Sequence, residues 1–120
     1  MHALDRTSWE ILDATADDCE NLEQIYRLVC FEFSAEDYER GAYYYRPIRG
    51  APLLEEVADR LRTLVEAGLL TAVMDENGFP PRNLADLSYV WRAWFAMTPQ
   101  GRNAWETSEY ADLADQESTR

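Results

Sequence analysis

The sequence predicts a mainly α domain with a small antiparallel β-ribbon, an α+β fold around one core. Three observations predict it. Leu53, Leu54, Val57, Ala58, Leu61, Leu64 and Val65 recur at i, i+3, i+4 and i+7, the spacing of a helix with one apolar face. Directly after it, Gly68 leads into the apolar run Leu69 to Met74, and past Asp75-Glu76-Asn77-Gly78 a second extended stretch runs from Tyr89 to Met97, which reads as strand, turn and strand. The chain has 120 residues, 47% of them apolar, with 4 Trp, 7 Tyr and 4 Phe. That suffices for one domain in which folding removes roughly two-thirds of the surface from water.

The elements follow in order. Thr7 or Ser8 can cap a first helix, with Glu10 placed well for the helix dipole and Trp9, Leu12, Ala16 and Cys19 at helical spacing. Leu22, Ile25, Tyr26, Val29, Cys30 and Phe33 continue that spacing. Asn21 is a cap or break between the two patterns, and one long kinked helix stays open as the alternative. Ser34-Ala-Glu-Asp caps a short helix to about Arg40, ended by Gly41. Residues 42–49 favour extended backbone, because three adjacent tyrosines have strand preference and Pro47 pushes Arg46 out of the helical region. The main helix follows over 53–67. Its opposite face is Glu55, Glu56, Asp59, Arg60, Arg62, Thr63 and Glu66, and Gly68 closes it. Residues 79–83 read as a loop, with one helical turn over 83–87.

Alternation over 89–97 puts Tyr89, Trp91, Ala93, Phe95 and Met97 on one face and Val90, Arg92, Trp94 and Ala96 on the other. Trp91 and Phe95 are expected in the core. Trp94, beside Arg92, is then either an exposed interface anchor or covered by a neighbouring segment, and both readings stay open. Thr98 caps a last helix with Pro99 at its first position and carries Ala104 and Trp105. The expected organisation is one domain over 1–110 and an acidic, frayed tail over 111–120.

Charge narrows the function. There are 23 acids against 11 bases, all of them arginine, for a net of −12. Residues 1–40 carry 11 acids and 3 bases, while residues 41–69 carry four of each. So acidic a chain repels phosphate backbones and anionic membranes on average. No apolar run approaches the roughly 18 residues of a membrane span and no basic-then-apolar leader opens the chain, so a cytoplasmic protein without membrane contact is expected.

Chemistry is hard to build from this inventory. The one histidine is His2, which nearly excludes histidine-based triads and relays. The five glycines are isolated, so no phosphate-cradling loop forms. Cys19 and Cys30 lie eleven apart with no CxxC pair, which fits two reduced thiols and no zinc site. Asp75-Glu76-Asn77-Gly78 lacks the ligand pattern of a calcium loop. The expectation is a non-enzymatic protein with no catalytic residue, metal or cofactor.

Two stretches carry a family resemblance. Leu61, Leu64, Glu66, Ala67, Gly68, Leu69 and Leu70 resemble the Leu-x-x-Leu-x-x-x-Gly-Leu-Leu end of a recognition helix. Met97, Thr98, Pro99, Gly101, Arg102 and Trp105 resemble the Leu-Thr-Pro-x-Gly-Arg opening of the helix after a wing. Both recur in PadR-like and MarR-like regulators. Over about residues 51–106, and more loosely over 8–50, the chain resembles a winged helix-turn-helix domain, mainly α with a small antiparallel β-wing.

The resemblance implies that the helix at 53–67 enters the major groove and that the wing at 75–89 touches the DNA backbone. This sequence departs from such a reader. The helix face has Glu55, Glu56, Asp59 and Glu66 against Arg60 and Arg62, four against two, net −2. The wing has Asp75, Glu76 and Asp86 against Arg82, three against one, also −2. Placing either on phosphates costs electrostatic energy instead of releasing counterions.

The expected function is therefore a small winged-helix-like regulatory domain whose acidic surface makes protein contacts, as an adaptor, an antirepressor or a DNA mimic. Trp94, Arg92, Tyr44, Glu55, Asp59 and Arg62 are its candidate contact residues, and its protein partner is unidentified. The alternative is a DNA-binding transcriptional regulator, acting as a homodimer on two half-sites and using Arg46, Arg49, Arg60, Arg62 and Arg82. The arginines between 40 and 62 either form a basic spot or pair with the abundant carboxylates.

Overall fold

The computed structural model describes residues 4–32, 46–74 and 90–111. The first helix, α1 (Arg6–Ala14), starts ahead of both expected caps. Asp5 caps it, its carboxylate accepting the Ser8 N–H at 2.8 Å. A cap sits just outside the helix, two or three residues ahead of the amide it satisfies. Thr7 and Ser8 already lie inside the first turn.

A short strand, β1 (Glu20–Asn21), separates α1 from α2 (Leu22–Cys30), so the two patterns are two helices. Asn21 is the cap as expected, its side-chain oxygen accepting the Gln24 N–H at 2.9 Å. The second helix stops at Cys30, short of Phe33. The chain turns extended there as β2 (Phe31–Glu32), which pairs antiparallel with β3 (Arg46–Pro47), Phe31 opposite Pro47 and Glu32 opposite Arg46. The extended backbone expected around Pro47 is present there. The short helix expected over 34–40 and the tyrosine run lie outside the described residues.

The main helix, α3 (Leu54–Glu66), buries Val57, Ala58, Leu61 and Leu64 and turns Glu55, Glu56, Asp59, Arg60, Thr63 and Glu66 outward. Two expectations on it need correction. Leu53 is not on the apolar stripe: it is the extended N-cap and is 64% exposed. Arg62 is half-buried at the edge of the polar face. The helix ends in a Schellman motif. Gly68, at φ +79°, donates its N–H to Val65 O, and Leu69 donates to Leu64 O at 2.9 Å, which is the double bond pattern of that cap.

Strands β4 (Leu70–Met74) and β5 (Trp94–Met97) then pair antiparallel, and β1 lies on the other side of β5, giving the order β1-β5-β4. Phe95 is at the centre, opposite both Glu20 and Ala72, and is fully buried as expected. The second strand is shorter than the alternation suggested. Residues 90–92 form a helical turn, with Ala93 N–H on Val90 O at 3.3 Å. A turn advances side chains by about 100° per residue and not by 180°, so the faces do not alternate. Val90 and Ala93 are buried, and Trp91, expected in the core, is 36% exposed. The wing expected at 75–89 and all but the first residue of the tail expected over 111–120 lie outside the described residues.

The last helix, α4 (Pro99–Thr107), is fixed to the end of α3 by Thr98. Its hydroxyl accepts the Gly101 N–H at 3.0 Å and donates to Gly68 O at 2.6 Å, while its own N–H bonds Leu69 O at 3.2 Å. Gly101 is buried against this seat. A Cβ there would overlap the Leu69 carbonyl and lie 3.1 Å from Met97 Cγ. Helices and sheet share one core of Ile11, Leu12, Leu22, Ile25, Val29, Val57, Leu61, Leu64, Leu70, Val90 and Phe95, with Trp105 packed against it. This mainly α arrangement with a small antiparallel sheet is compatible with a winged-helix-like fold.

Candidate functional site

The outer face of α3 carries the candidate residues Glu55 and Asp59, both exposed. Its buried stripe fixes which side chains face water, and those are mostly acids. Glu55 and Glu56 occupy the first turn, where free N–H groups stabilise carboxylates. Asp59 and Glu66 follow along the exposed side.

Arg60, one of the two arginines of this helix, points back toward α1. Its Nε donates to Asp5 Oδ2 at 2.8 Å, and its guanidinium lies 3.9 Å from the Asp59 carboxylate. The arginine thus pairs with carboxylates, the second of the two readings the sequence left open. Asp5 consequently has two functions: it caps α1 and holds Arg60. Burial pushes its carboxyl up, but the two hydrogen bonds from Ser8 and the Arg60 guanidinium outweigh that and hold it below 3.8.

The remaining candidates fall elsewhere. Arg46 and Arg49 are exposed on the connection that leads into α3. Two bonds fasten it to the end of α2. Ile48 N–H bonds Cys30 O at 2.9 Å, and Cys30 Sγ donates to Pro52 O at 3.2 Å. Burial, with Glu10 and Glu56 nearby, pushes the Cys30 thiol up, so it stays protonated and packs as an apolar group. Trp94 is half-buried on β5, opposite Asn21 and Met74, and Arg92 is exposed in the turn before it. Tyr44 and Arg82 lie outside the described residues.

A second polar network, which the sequence did not announce, joins α1 to α4. Trp9 Nε1 donates to Trp105 O at 3.2 Å, and Trp105 Nε1 donates to Asp13 Oδ1 at 3.0 Å. Arg102 reaches Ala16 O at 2.6 Å and lies 5.6 Å from the centre of the Trp105 ring. The only sequence signal was that Trp9 and Trp105 stand on expected helices and each carries an N–H donor that wants a partner when buried.

These carboxylates set a pH dependence. Asp13 is raised by burial, with the Trp105 hydrogen bond opposing and Asp17 adding repulsion, and Glu20 is raised by burial and Asp18. A raised acid makes the folded state bind more protons than the unfolded one, so stability increases as pH falls toward the ordinary values of 3.8 and 4.5. Asp5 has the opposite sign. Its contribution is complete above 3.8 and is lost as pH falls through its lower folded value. Thermal melts are therefore expected to show Tm rising as pH falls through the raised values of Asp13 and Glu20, and falling again once pH drops below the ordinary 3.8 of Asp5. Asp13→Asn should flatten the rise and leave the acid fall in place.

Among the described residues no group of three or more His, Cys, Asp or Glu side chains is placed to hold a metal ion, and no helix is long and apolar enough to cross a membrane. Compared with family models, with curated proteins and with solved structures, the chain matches none.

Proposed function

We propose that this chain is a non-enzymatic, winged-helix-like regulatory module that contacts a protein partner through the exposed face of α3. The observation that carries the reading is the charge of that face. In a winged-helix DNA reader the corresponding helix enters the major groove. Here it presents Glu55, Glu56, Asp59 and Glu66, while Arg60 is held by Asp5 and Asp59. A phosphate brought to this face meets carboxylates, whereas a cationic protein surface meets complementary charge. An adaptor, an antirepressor or a DNA mimic would use such a face.

The finer likeness to PadR-like and MarR-like regulators supports the scaffold and not DNA reading. Gly68, Leu69, Thr98 and Gly101 join α3 to α4, so their presence says nothing about a ligand. A DNA-binding regulator is the second reading. What favours it is the exposure of Arg46 and Arg49 just ahead of α3.

Immobilised wild type and a Glu55→Gln, Asp59→Asn, Glu66→Gln variant, both shown folded by circular dichroism, should be challenged with native lysate across a salt gradient. The expected result is a protein retained by the wild type, eluted by rising salt and lost in the variant. Equal retention by both, or none by the wild type, would overturn the proposal.

A further inference from the structure

We draw no further inference here: the strongest candidate, the exposed apolar side chains of Leu28 on α2 and of Ile48 and Leu53 on the connection fastened to Cys30, is an unpartnered apolar surface with nothing in the structure to show what covers it.

Discussion

Gly101→Ala is expected to lower the unfolding free energy by about 3 kcal/mol, the upper end for overpacking a tight site. The added methyl would overlap a backbone oxygen, that of Leu69, and has Met97 Cγ at 3.1 Å on another side. A flexible side chain could swing away, but a carbonyl held by the Thr98 N–H cannot move without breaking that bond. Relief requires α4 to lift from its seat. That strains the Thr98 hydroxyl bonds to Gly68 and Gly101, and with them the indole bond from Trp105 to Asp13.

Gly68→Ala is the matched control. It has open space around its Cβ position and a φ of +79°, so its cost is the left-handed backbone alone, about 1 kcal/mol. Urea denaturation of both variants should rank Gly101→Ala well above Gly68→Ala. Equal costs, or a neutral Gly101→Ala, would contradict the seat described for α4.

Phe95→Ala is expected to cost about 3–5 kcal/mol, the range for truncating a fully buried aromatic. Phe95 is in the middle strand, paired on both sides, and is among the largest fully buried side chains. The loss is a large share of the stability of a small domain, about 5–15 kcal/mol. The variant should melt at markedly lower temperature, and its amide protection should fall in β1, β4 and β5 together. Trp91→Ala, four residues earlier on the face once expected to be shared, should cost much less, because Trp91 is 36% exposed. Similar costs for the two would mean that the ribbon alternates as a strand from Tyr89 onward.

Much of the scaffold was legible because its signals are local. The apolar spacing of α3, the Gly68 cap, the Asn21 cap and the Thr98-Pro99 start each depend on a few adjacent residues, and each is found where the sequence put it. The misplaced features depend on longer-range competition. A helical turn at 90–92 overrode the alternation that had Trp91 buried, since nothing in the period-two pattern records where pairing stops. Asp5, Thr7 and Ser8 all have side chains suited to capping, and only the bond to Ser8 decides among them.

The candidate surface was legible in composition and not in pairing. The acids on the outer face of α3 follow from helical spacing, so Glu55, Asp59 and the outward Arg60 fall on it as expected. The partnership of Arg60 with Asp5 spans 55 positions, and no sequence pattern specifies it. The resemblance motif is also explained in physical terms. In this chain its two halves meet in space: Thr98 bonds the Gly68 and Leu69 carbonyls, and Gly101 packs against the Leu69 carbonyl.

The most direct test of the central claim, that the face of α3 is built for a protein and not for phosphates, is fluorescence anisotropy of a labelled random-sequence duplex. The full chain is titrated at low salt and then across rising salt. No binding is expected even at low salt, because the carboxylates of Glu55, Glu56, Asp59 and Glu66 repel the duplex and Arg60 is already paired. Micromolar binding that weakens with salt, at about 0.9 of a log unit per log unit of salt for each phosphate neutralised, would contradict it and give the DNA-binding reading the lead.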